Sequence, residues 1–151
     1  MVVPIHMDES LWPLVVVRFT GVASASDFES YLARLKVLLE RGEPFVVITD
    51  TSQMSWHGPA LRQRQVEWIQ QHAGAMREWV LGHATIATST FARLSVSILR
   101  HLQPMPMPHT DVADLPSALM WVTERLRKGG HATEAERIRR HFGLVPGLRE
   151  G

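Results

Sequence analysis

The chain has 151 residues, 45% of them hydrophobic and 21% charged. That length suits one compact domain, and the composition supports a buried core and excludes wholesale disorder. Sixteen Lys/Arg stand against fifteen Asp/Glu, a formal charge of +1 that supplies no broad field for gripping nucleic acid. Cysteine is absent, which excludes disulfides, thiolate catalysis and any zinc site built on Cys. Apolar runs reach only four or five residues, as at 14–17 and 45–48, too short for a transmembrane segment. The first ten residues lack the basic start and apolar run of a signal peptide, so a cytoplasmic location is expected.

Residues 2–7 and 13–20 read as the first two strands. Val15, Val16 and Val17 are β-branched, Asp8-Glu9-Ser10 is turn-like, and Pro4 and Pro13 suit strand ends, so a hairpin is expected. Ser26 and Glu29 have the capping-box spacing of a helix start. Phe28, Leu32, Leu35 and Leu39 then recur at helical spacing up to a stop at Gly42 and Pro44. Phe45-Val46-Val47-Ile48-Thr49 is an apolar run suited to a strand covered on both faces. A polar connection over 50–58 leads to Pro59, in the first turn of a helix expected to reach Val80. Its inward stripe is Leu61, Gln65, Trp68, Ile69, His72, Ala73, Met76 and Val80. Gln65 and His72 interrupt the stripe, so this helix is expected to be partly buried, or to face a ligand or another chain.

Residues 84–88 read as the next strand, and Ser89 or Thr90 caps a helix over 91–102. Phe91, Leu94, Ile98, Leu99 and Leu102 form its expected core face. Alternating prolines keep 104–108 extended, with a short edge strand over 107–110. Asp114 caps a further helix with Pro116 in its first turn, an apolar stripe of Leu115, Leu119, Val122 and Leu126, and a stop at Gly129-Gly130. Thr133 and Glu136 have capping-box spacing for a last short helix that ends near Phe142 and Gly143, followed by a frayed tail. Helices alternating with short buried strands predict an α/β layer with parallel crossovers. Charge is uneven along it: residues 125–151 carry seven Lys/Arg and three Asp/Glu, net +4.

Several phrases carry a family likeness: the opening hairpin, the 45–49 strand ending in Asp50, and the 84–88 strand leading into Phe91-Ala92-Arg93. To these is added Asp111-Val112-Ala113-Asp114-Leu115-Pro116-Ser117-Ala118-Leu119-Met120-Trp121, an acidic cap followed by Ala-Leu-x-Trp. Over residues 10–126 the chain resembles the STAS-like group of bacterial SpoIIAA-like proteins, structurally akin to the CRAL-TRIO lipid-carrier fold. The resemblance implies an α/β fold: a mixed four- to five-stranded sheet with an antiparallel N-terminal strand and helices mainly on one face, plus here a short C-terminal helix. It divides the chain into a STAS-like domain at 1–128 and a basic C-terminal helical extension at 129–151. It also implies a regulatory module without catalytic machinery or cofactor, acting on protein partners in the bacterial cytoplasm. Anti-sigma-factor antagonists carry a phosphorylated Ser in an Asp-Ser-Ser-Gly stretch. Here the comparable segment is Asp50-Thr51-Ser52, with Ser55 beyond and no Gly-Leu continuation, so Ser52 and Ser55 are the candidate phosphorylation positions.

Eight histidines, at 6, 57, 72, 83, 101, 109, 131 and 141, include no i, i+4 pair, so no metal site is expected. Ser52, Ser55, His57 and Asp50 allow a hydrolytic triad on paper, but no G-x-S-x-G elbow supports one. No Gly-rich phosphate loop is present. The candidate contact residues are Trp56 and His57, beyond the carboxyl end of a buried strand, together with Trp68 and Trp79 on the 59–80 helix. Trp56 also has a packing reading, tucked over the sheet edge. The expected function is non-enzymatic regulation or scaffolding through a protein partner, including a second copy as a homodimer. The alternative is a carrier or sensor of a small apolar, lipid-like ligand in a cavity lined by Met76, Met105, Met107 and Met120.

Overall fold

The computed structural model describes residues 4–54 and 59–144; Val2, Ser55, Trp56, His57 and the tail from 145 lie outside them. Strands β1 (Ile5–Asp8) and β2 (Leu14–Gly21) form the expected antiparallel hairpin, with Met7 opposite Val17. Helix α1 (Ala25–Glu40) leads to β3 (Phe45–Met54), and α2 (Pro59–Trp79) leads to β4 (Val80–Ile86). After them come α3 (Thr90–Leu102), β5 (His109–Val112), α4 (Leu115–Lys128) and α5 (Ala132–His141). The five strands lie side by side in sequence order, all parallel except β1, so this is the mixed α/β sheet with an antiparallel first strand.

Every residue from Leu14 to Val17 and from Phe45 to Ile48 is buried. Neighbouring strand residues point to opposite faces, so both faces need apolar cover. Val15, Val17, Phe45 and Val47 meet Phe28, Leu32 and Leu38 of α1 and Trp68, Ile69 and Met76 of α2. Leu14, Val16, Val46 and Ile48 meet Leu119, Val122 and Leu126 of α4 and Ile138 of α5. With α3 beside α2 on the first face, the helices divide three and two between the faces. That is a more even division than helices mainly on one face, because the second apolar set of the same strands needs a layer of its own.

Local chemistry sets the boundaries. The Ser24 hydroxyl accepts the Asp27 N–H at 3.0 Å while the Asp27 carboxylate accepts the Ser24 N–H at 3.0 Å, a reciprocal cap. The box therefore sits at Ser24 and Asp27 instead of Ser26 and Glu29; the earlier start adds helix without shifting the Phe28–Leu39 stripe. Gly42, at φ +66°, takes the left-handed turn that follows α1. Asp114 caps α4 as expected, accepting the Ser117 N–H at 2.8 Å. Strand β3 runs on through Met54, further than its apolar run, because Asp50 continues the ladder opposite Ile86 and Gln53 and Met54 pair with Thr20 and Gly21 of β2. Strand β4 starts at Val80, directly after α2. Gly82 is then a strand residue under α4: a Cβ there would lie 2.7 Å from Arg125 Cγ and 2.9 Å from Trp121 Cζ3.

The box expected at Thr133 and Glu136 is not used; α5 begins after His131, whose Nδ1 lies 3.1 Å from a Glu134 carboxylate oxygen. Ile138 is fully buried, and Phe142 packs against the same cluster. Arg139 donates to Thr123 Oγ1 at 2.7 Å and lies 3.7 Å from Glu124, and Arg137 donates to the Trp12 carbonyl at 2.8 Å. The basic helix is thus tied to the body of the protein by its charges as well as its apolar side.

Ile138→Ala is expected to lower the unfolding free energy by about 2–5 kcal/mol, the usual loss for truncating a fully buried Ile. Urea denaturation checks it: the single main transition moves to lower urea. An α5 that folded independently of the sheet would leave that transition in place.

Candidate functional site

Thr49, Thr51 and Thr85 replace the large aliphatic side chains of the earlier strand residues just where the first sheet face approaches its C-terminal edge. With His83 beside them, that face is not filled from below. Two adjoining hollows result, of about 100 Å³ and about 70 Å³. They share Tyr31 of α1, Thr49 of β3, Gln65 of α2, His83 of β4 and Met105. The first opens toward Arg62 of α2 and Val96, Leu99 and Arg100 of α3. The second reaches into the core beside Trp68, Ile69, Met76 and Met107. Gln65 interrupts the apolar stripe of α2 because it faces this space.

Thr49 Oγ1 and His83 Nε2 are 2.8 Å apart. His83 Nδ1 is buried and has no partner, the one such side-chain atom among the described residues. Burial, reinforced by the positive charge of Arg100 and by His109 on β5, pushes the His83 pKa down to about 3, so the ring is neutral. Burial likewise raises the Tyr31 phenol above its ordinary range. Arg100 pairs with Asp111, and its Nη2 lies 3.5 Å from Thr85 Oγ1. Thr51 donates to the Ile86 carbonyl at 2.6 Å. Arg62 has no acidic partner among the described residues, and no Asp or Glu lines either hollow.

Among the described residues, the two tryptophans and the serine singled out by sequence do not form one surface. Trp68 is 5% exposed, in the core, with its ring stacked 4.2 Å from that of His72. It is therefore a packing residue rather than a docking one, because α2 turns it toward the sheet. Trp79 is half-buried against the same core near Gly42. Ser52 is exposed on β3, its N–H donating to Asp50 Oδ1 at 2.9 Å. Trp56, His57 and Ser55 lie outside the described residues. Met76, Met105 and Met107 line the hollows, whereas Met120 is 42% exposed on α4, across the sheet from them.

Leu94 and Leu102, expected in the core face of α3, are 59% and 51% exposed, because α3 turns Val96 inward beside Leu99, which faces the sheet side as expected; the Phe91 side chain is outside the described set. Sequence reasoning that treats histidines only as metal ligands misses His83. The available signal was a lone imidazole between Gly82 and Ala84 in a strand that must be covered. Among the described residues no three His, Asp or Glu side chains converge as a metal site, and no helix is long and apolar enough to cross a membrane.

No protein-family model matches the sequence, and no curated protein matches it. Solved structures do. An uncharacterized DUF3478 protein with a SpoIIAA-like fold from Shewanella loihica PV-4 superposes with a TM-score of 0.59 at 15% identity, covering 78% of this chain and 91% of that one. An anti-sigma factor antagonist from Mycobacterium paratuberculosis superposes with a TM-score of 0.50 at 14% identity, covering 78% and 92%. The fold is therefore the SpoIIAA-like, STAS-like one that the sequence resembles.

The His83 imidazole makes stability depend on pH with a definite sign. The unfolded ring binds a proton below about pH 6.5 and the folded ring does not until about pH 3, so His83 costs stability as pH falls between them. Between pH 7 and pH 5 the wild type should lose about 2 kcal/mol more than His83→Asn, by urea denaturation at each pH. Equal losses in the two proteins would show that His83 is not held neutral.

Proposed function

We propose that this protein is a non-enzymatic regulatory or scaffolding module that acts through protein–protein contact in the bacterial cytoplasm. The observation that carries the reading is α3. This helix has Leu94, Ile98 and Leu102 along one side at i, i+4, i+8, and the two end residues are more than half exposed. Scattered exposed leucines are ordinary, but an aligned stripe on a helix that, among the described side chains, turns Val96 and Leu99 toward the hollow is a partner-sized apolar strip. Arg93 and His101 flank it, so the partner's complement is an apolar groove with an acidic rim.

The location of the strip adds support. Strands β3 and β4 are parallel, so β3 ends at the edge of the sheet from which the chain departs toward α3. Ser52 stands near the end of β3, which closes at Met54. In this reading Trp56 and His57 extend the contact surface, Trp79 lies away from it at the far end of α2, and phosphorylation at Ser52 or Ser55 places negative charge beside it. The similar fold of the Mycobacterium paratuberculosis anti-sigma factor antagonist fits such a role.

Leu94→Glu combined with Leu102→Glu tests the proposal. The partner is isolated by affinity capture from the protein's own host, purified, and titrated against both forms by calorimetry; light scattering tests a second copy as the partner. Binding should weaken about a hundredfold or more, the loss expected when two contact leucines are replaced by charge, while the melting temperature stays within about 2 °C because both sites are exposed. Unchanged affinity would contradict the assignment of α3, and a monomer that captures no partner would contradict the function.

A further inference from the structure

The hollow under α1–α3 has features that a contact module does not need. Its walls are mostly apolar, its two adjoining parts of about 100 Å³ and about 70 Å³ share five lining residues and together are of the order that admits a single small ring, for which about 150 Å³ suffices, and it opens beside α3. Two groups in its lining are left incomplete by the protein. Arg62 has no acidic partner among the described residues, and the hollow contains no carboxylate that could supply one. His83, in the wall of both hollows, has a buried nitrogen that nothing satisfies. An unpaired buried polar atom is destabilising, and its persistence calls for a role.

We propose that the joined hollows are a binding site for a small apolar monocarboxylate, with its hydrocarbon body between Met105 and Leu99 and its carboxylate at Arg62. This is a ligand-binding function independent of the protein-contact reading; either can fail alone. The chemistry is complementary at each point. Thioether and leucine side chains suit a chain or ring of variable shape. The Arg62 fork offers two parallel N–H groups to one carboxylate. Thr49 completes the wall from below, its hydroxyl oxygen 2.8 Å from His83 Nε2, so that the imidazole is held in place against the floor of the hollow. Arg100 is held by Asp111 and frames the opening without competing for the ligand.

The test uses the whole chain, labelled with nitrogen-15, and four probes: hexanoate and phenylacetate, against 1-hexanol and benzyl alcohol of matched body. Both acids should give saturable shifts in the amides of Thr49, His83 and Leu99 and in the His83 ring nitrogens, and should raise the melting temperature. The alcohols should bind about tenfold more weakly or worse. Arg62→Gln should bring acid affinity down to that of the alcohols without moving the melting temperature of the free protein. Gln65→Phe, which fills the shared wall, should abolish binding of all four. No saturable shift with either acid up to tens of millimolar would overturn the proposal, as would acids and alcohols binding alike. Shifts confined to residues outside the hollow would overturn it too.

Discussion

Leu14 to Val17 and Phe45 to Ile48 have almost no surface on either side, and a strand without a polar face can exist only between two layers. Each such side chain is worth about 1.5–3 kcal/mol when buried, so the two central strands together set the terms for everything packed on them. They demand α1 and α2 above and α4 and α5 below. They also force the connections between parallel strands to be long enough to hold a helix, which is why a helix follows each of β2, β3 and β4. The basic C-terminal helix belongs to this same demand: without Ile138, the lower layer over Leu14 and Val16 is unfinished.

The two layers differ in kind. Below the sheet, Ala118, Val122 and Leu126 are fully buried, and Gly82 lets α4 come close enough that a methyl group would not fit. Above it, Thr49, Thr51, His83 and Thr85 take over where aliphatic residues would be needed to hold α3 firmly, and α3 contributes no fully buried apolar side chain among those described. One layer is closed by shape complementarity; the other retains a hollow, an unsatisfied nitrogen and an apolar strip turned outward. Chemistry available to other molecules is concentrated on the upper layer, at the C-terminal edge of the strands, where open α/β sheets bind their ligands.

The sequence made the framework legible wherever a signal was local. The apolar run at 45–49 announces a doubly covered strand, Asp114 and Pro116 announce a helix start, and Gly42 and Gly129-Gly130 mark stops that the structure uses. Where two local signals compete, tertiary packing chooses between them. Ser24 and Ser26 both offer a cap, and Val80 fits either the end of a helix or the start of a strand. The site was far less legible. Trp68 resembles a docking residue until the rotation of α2 is known, and Leu94 resembles core until α3 is seen to turn Val96 and Leu99 inward. A hollow is a distance between elements, which no periodicity encodes. Its polar members, Tyr31, Gln65 and His83, are scattered over more than fifty residues and meet only because β3 and β4 pair in one register.

Unequal consolidation of the two layers is open to direct measurement by native-state hydrogen exchange in low urea, followed by amide-resolved NMR. Amides of β3, α4 and α5 should exchange only through global unfolding, with the full denaturant dependence of that transition. Those of α3 should exchange through a smaller opening, with little denaturant dependence and protection lower by about 2 kcal/mol or more. Protection of α3 equal to that of α4, lost in the same cooperative step, would contradict the assignment of the upper layer as the working face of the protein.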